Sequence, residues 1–186
     1  MWHTLLLITV QWTCASTVGA ILSAIIAKWE PPFGLVLAGM IFPIPQWLVL
    51  RKHLVSSSWW VPVTAAGMLA AFSLEVVLAL AVERPGGAGG SSVPVTALFV
   101  GGPIGIVVGL GQSGILTRGR RIMVWILASG LGAVLWVLLM VFSRILSAEV
   151  HMSLGSGDTL TGMGIGGMTY GLVTGFVLAH LVVSNN

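Results

Sequence analysis

The sequence predicts an all-α integral membrane protein: a bundle of six transmembrane helices, built as three parallel helix-pair pseudo-repeats with both termini in the cytoplasm. Three observations predict it. The first is scarcity of charge: of 186 residues, 7% are charged and 56% hydrophobic. A soluble domain carries about 25% charged residues, so this chain cannot cover a water-facing surface and the bilayer must be its solvent. The second is six apolar stretches, at about residues 5–27, 33–50, 59–82, 95–117, 122–142 and 160–183. Each is near the roughly 20 residues, range about 17–25, that cross a hydrocarbon core. The third is the lack of strand-like polar alternation, which leaves helix as the state that satisfies backbone groups in lipid. Residues 1–186 read as a single transmembrane domain.

The elements follow in order. The opening "MWHTLLLITV" has no Lys or Arg, so it reads as the start of a retained first span and not as a cleaved signal peptide. Cys14, the one cysteine, lies inside that span and allows no intrachain disulfide. Glu30-Pro31-Pro32 makes a tight first loop. Span two is the shortest and carries Pro43 and Pro45. Each lacks a backbone donor and crowds the carbonyl four residues back, at Gly39 and Ile41, while Phe42 and Ile44 are pushed from helical geometry. The inner third of this span is therefore expected to kink or unwind. Span three carries Glu75, and Arg84-Pro85 with "GGAGGSSVP" makes a flexible loop. Gly102-Pro103 predicts a second bend in span four. The longest connector, "SRILSAEVHMSLGSGDT", has room for a short surface helix before span six.

Orientation follows from Lys and Arg. The loops after spans two and four hold Arg51, Lys52, Arg118, Arg120 and Arg121; the loops after spans one, three and five hold Lys28, Arg84 and Arg144. The excess of basic residues in the first group puts it, and both termini, in the cytoplasm. The net charge of +3 forms no basic stripe with interleaved aromatics, which argues against a nucleic-acid partner.

A repeat runs through these spans. "GMIFPIPQ", "GIVVGLGQ" and "GMTYGLVT" share Gly, then Gly or Pro four on, then an amide or hydroxyl three further on, at Gln46, Gln112 and Thr174. In the odd spans Trp12 and Gly19, Trp60 and Gly67, and Trp125 and Gly132 are seven apart. The registers disagree by one residue: the offset between Gln46 and Gln112 pairs Trp59, not Trp60, with Trp125. Each repeat has an even number of crossings, so the units are parallel. The stretches "GMIFPIPQWLVLRKHL", "GIVVGLGQSGILTRGRR" and "GIGGMTYGLVTGFVLAHL" resemble a family of uncharacterised bacterial polytopic membrane proteins with repeated G-x3-G-x2-Q-W-x2-L-R segments and a G-G-x2-Y-G-x2-T-G terminal helix. The likeness covers most of the chain. The second copy departs from it, with Ser113 in place of Trp and Thr117 in place of Arg. The resemblance implies a polytopic bundle in a bacterial inner or photosynthetic membrane and assigns no activity.

Gln11, Gln46 and Gln112 lie near the inner ends of their spans and are expected to form a polar belt. They serve either interhelical hydrogen bonding or a headgroup or polar ligand. At the break, Gln46 is placed to repair the carbonyls freed at Gly39 and Ile41, or those carbonyls and the amide meet a ligand. Gly101, Gly105 and Gly109, and Gly167, Gly171 and Gly175, form small-residue rows, either for helix packing or as a slot for a flat or tail-like ligand, lipid or pigment. Glu75 sits near the outer boundary, where it reaches water or a basic partner more readily than it relays protons. His3, His53, His151 and His180 have no metal-ligand spacing on one helix face. No cofactor is assigned, and no catalytic motif appears.

Two functions of different class follow. The first is a non-enzymatic bundle that acts by packing, as an accessory or scaffold subunit of a membrane complex, or as a binder of lipid, pigment or another apolar ligand. Its partners are membrane lipids and other membrane subunits. The alternative is a small-solute transporter, or the substrate-binding subunit of one.

Overall fold

The computed structural model describes residues 2–27, 33–54, 57–82, 101–116, 121–149 and 156–183. Among them every element is helical: α1 (Trp2–Ile26), α2 (Phe33–Ile41), α3 (Pro43–Leu50), a 3-10 turn (Ser57–Trp59), α4 (Trp60–Val82), α5 (Gly102–Leu116), α6 (Arg121–Glu149) and α7 (Ser156–Val183). Three stretches, Trp2–Ile26, Arg121–Ser143 and Leu160–Val183, are long and apolar enough to cross a membrane. Val36–Leu50 and Gly102–Leu116 are shorter apolar helices.

The helices pack as a closed ring. α1 lies against α2 and α3, these against α4, α4 against α5, α5 against α6 and α6 against α7, and α7 returns to α1 in the most extensive seam of the molecule. Successive rods run in opposite directions. The starts of α1, α4 and α6 (Ile8, Trp12, Trp60, Trp125) therefore meet the ends of α3, α5 and α7 (Leu50, Leu116, Leu178, Leu181) in one buried cluster. A second cluster, Ala20, Phe42, Ala133 and Tyr170 with Met68 and Trp136, lies further along the bundle. The outer faces carry exposed Leu6, Val18, Leu127, Leu131, Leu172 and Phe176. Large apolar side chains this numerous on the outside fit a hydrocarbon surround and not water.

Glycine sets the closeness of two seams. A Cβ on Gly167 would stand 2.6 Å from the Ala20 Cβ, one on Gly171 2.7 Å from the Thr13 Cα, and one on Gly175 2.9 Å from the Trp12 ring. A Cβ on Gly101 would stand 2.6 Å from the Ala133 carbonyl oxygen, and one on Gly105 would run into the Ser129 carbonyl oxygen. Both rows face a neighbouring helix of the same chain, where missing side chains let backbones touch.

Two features differ from sequence expectation. The break in span two is confined to Phe42, which keeps right-handed helical geometry (φ −47°, ψ −48°) and donates its N–H to the Ala38 carbonyl at 3.1 Å. The proline effect on Phe42 is overridden by packing. Its carbonyl lies where a Cβ on Gly19 would be, 2.5 Å away, and its ring contacts Trp136 and Tyr170 at centroid distances of 5.5 and 6.2 Å. Gly102-Pro103, where a bend in span four is expected, adjoins residues outside the described ones, and Pro103 itself lies within α5. The connector before span six is largely taken up by its flanking helices, since α6 continues to Glu149 and α7 begins at Ser156. The side chain of Glu75 and residues Arg84, Arg118, Arg120 and His151 lie outside the described residues.

Candidate functional site

The centre of the bundle, near the end where α1 starts, is a triangle of indoles. Trp12 of α1, Trp60 of α4 and Trp125 of α6 are each fully buried. Their ring centroids are 5.4, 6.1 and 6.3 Å apart, and every pair is edge-to-face, with interplanar angles of 75°, 68° and 72°. This is the geometry the ring quadrupoles favour, worth about 0.5–1.5 kcal/mol per pair beyond area burial. The triangle closes the bundle axis at this level with apolar surface.

The indole N–H groups of Trp60 and Trp12 donate to polar residues of neighbouring helices. Trp60 Nε1 donates to Gln46 Oε1 at 3.2 Å, and Gln46 Nε2 donates to Ser16 Oγ at 3.0 Å. One side chain of α3 thus ties α4 to α1. Trp12 Nε1 donates to Thr174 Oγ1 at 2.8 Å, tying α1 to α7. Gln112 Nε2 donates to Thr64 Oγ1 at 2.9 Å, tying α5 to α4. Gln46, Gln112, Thr64 and Thr174 are all at most 1% exposed. Among the described residues, Gln112 Oε1, Trp125 Nε1 and Ser129 Oγ are buried without a hydrogen-bond partner.

The arrangement recurs around the ring. Ser16, Thr64 and Ser129 each stand four residues after a triangle tryptophan, on the same helix face. Gly19, Gly67 and Gly132 each stand seven after it. A Cβ on these glycines would meet Phe42 (2.5 Å), Val108 (3.2 Å) and Tyr170 (2.9 Å), respectively. Those three residues each precede Gln46, Gln112 or Thr174 by four.

The sequence-predicted residues therefore divide. Gln46 and Gln112 enter the buried belt. Gln11 is half-buried one position before Trp12 and joins no hydrogen bond of the belt. Gln46 does not repair the proline-freed carbonyls: both ends of its amide are taken by Ser16 and Trp60, and the side-chain donor at the break is Ser23 of α1, which bonds the Ala38 carbonyl at 2.8 Å. Gly39 is buried and faces Met68, its virtual Cβ 3.7 Å from that side chain; Ile41 is half-buried. The hydroxyls of Ser16, Thr64 and Ser129 were not singled out from sequence; their position one turn after each triangle tryptophan was the available signal. His3, His53 and His180 are exposed, and the described residues contain no cluster of three metal-ligating side chains. At the same end of the bundle, the Arg51 guanidinium lies over the Trp47 ring at 5.5 Å.

No protein-family model, no curated protein and no solved structure matches this chain.

Proposed function

We propose that the chain is a six-span membrane protein made of three parallel helix-pair repeats around a pseudo-three-fold axis, and that it acts by helix packing and not by catalysis. In this reading it is an accessory or scaffold subunit of a membrane complex, or it holds lipid, pigment or another apolar ligand against its outer face. Both termini are cytoplasmic, and the membrane is a bacterial inner or photosynthetic one.

The observation that carries this reading is the occupation of Gln46. It is the polar group at the sequence's most unusual point, and its amide nitrogen and its carbonyl oxygen each bond a neighbouring helix. Fully buried between those helices, the amide is held as a structural tie. The recurrence of tryptophan, hydroxyl and glycine on α1, α4 and α6 supports the three-unit reading, as does the matching place of Gln46, Gln112 and Thr174 on α3, α5 and α7.

Purification from the native membrane in mild detergent tests the proposal. Co-purifying subunits, lipid or a pigment absorbance are expected. A chain that emerges alone and instead accelerates uptake of a small solute into vesicles, with uptake abolished by Gln46→Ala in a folded protein, identifies a transporter and overturns the proposal. Reporters fused to each end are expected to show both on the cytoplasmic side.

A further inference from the structure

The hydrogen-bonded belt is complete on one side of the bundle and incomplete on the other, and the incomplete part is local. Where α3 meets α4, the indole of Trp60 and the carbonyl of Gln46 bond directly. Where α5 meets α6, the corresponding groups are Trp125 Nε1 and Gln112 Oε1, and neither has a partner among the described residues. In the last unit Thr174 stands where the first two carry glutamine. Its short side chain donates to the Tyr170 carbonyl at 2.7 Å and accepts from Trp12, so no amide reaches Ser129 as Gln46 reaches Ser16. The Ser129 hydroxyl makes no hydrogen bond of regular geometry among the described residues, and the Tyr170 phenol is its neighbour.

These groups belong to one sector. Trp125 and Ser129 are one turn apart on the same face of α6. A Cβ on Gly109 of α5 would stand 2.9 Å from the Ser129 Cβ, 3.2 Å from its Oγ and 3.2 Å from the Ile126 Cα. Gln112 is the next turn of α5. Trp125 and Ser129 are fully buried, and Gln112 is 1% exposed. The sector thus presents one N–H donor, one carbonyl acceptor and one hydroxyl able to do either, within an apolar bundle that offers no bulk solvent. A buried water takes two to four such partners.

We propose that the α5–α6 interface contains a built site for one resident water. It accepts from Trp125 Nε1–H, donates to Gln112 Oε1 and shares its remaining hydrogen-bonding capacity with Ser129 Oγ. It takes the place of the direct indole–amide bond at α3–α4.

The test is proton–nitrogen NMR of the full chain with 15N-labelled indoles in detergent micelles. The Trp125 resonance is assigned by its loss in Trp125→Phe, or by elimination among the other tryptophans if that variant does not fold. A hydrogen-bonded indole shift with a cross-peak to long-lived water is expected. An unbonded shift overturns the site, and so does a bonded shift without a water cross-peak, which indicates a direct bond to Gln112. Ser129→Ala removes one anchor and is expected to speed exchange of the Trp125 indole proton with deuterated water several-fold. An unchanged rate in a folded variant overturns the role given to Ser129.

Discussion

At the scale of single residues, what distinguishes Gln46 from Gln11 is not polarity but the number of partners it holds. Gln46 is fully buried and bridges Ser16 and Trp60; Gln11 is half-buried and outside the belt. Interhelical hydrogen bonds in membranes average about 0.6 kcal/mol and reach about 1.7, and an orphaned buried donor adds its own cost. Gln46→Ala is therefore expected to destabilise the bundle by about 1–3 kcal/mol, seen as a lower thermal midpoint in detergent, whereas Gln11→Ala is expected to change it by less than about 0.5 kcal/mol. Equal effects of the two would remove the belt from the account of stability. The same distinction separates adjacent tryptophans: Trp60 is fully buried in the triangle, and Trp59 is 65% exposed. This decides the one-residue conflict in register that the spacing leaves open, in favour of Trp60.

At the scale of elements, α5 is a helix whose glycines do different work. Gly105 lies against the Ser129 carbonyl, and Gly114 has nothing within 4 Å of its virtual Cβ. Gly105→Ala is expected to push α5 from α6 and cost about 1–3 kcal/mol through overpacking. Gly114→Ala is expected to be neutral or to stabilise by up to about 1 kcal/mol, because alanine loses less backbone freedom in a helix. Thermal unfolding of the two variants separates packing glycine from tolerated glycine within 15 residues of sequence. The broken rod makes a comparable point. Phe42 stays helical between α2 and α3 because Gly19 admits its carbonyl and two aromatic rings hold its side chain. Pro43→Ala is then expected to leave the secondary structure unchanged by circular dichroism; a gain of helix would show that the prolines, and not the packing, shape this rod.

At the scale of the whole molecule, the ring closes through α1 and α7, whose facing residues Trp12 and Thr174 are 162 positions apart. Closure places the polar side chains inside and leaves apolar ones outside, inverting the pattern of a soluble bundle. Cys14, the one cysteine, is exposed midway along α1. With that face in lipid, a membrane-impermeant maleimide is expected to leave Cys14 unlabelled in sealed membranes from either side, and to label it after unfolding in denaturant. Ready labelling in intact membranes would place this face in water.

The sequence by itself determined the helical state, the limits of the second rod, the glycine rows and the residues able to bond within an apolar bundle. Those properties are local: a run of apolar side chains, a four-residue spacing or a lone amide carries its meaning wherever the helix ends up. Only the tertiary structure decided which tryptophan of a pair turns inward, that Gln46 serves Ser16 and Trp60 and not the carbonyls beside it, and that Gln112, Trp125 and Ser129 are left over in one sector. Each of those depends on the rotation of a helix about its own axis. One residue along the chain turns a side chain by about 100°, and the angle is set by neighbours distant in sequence.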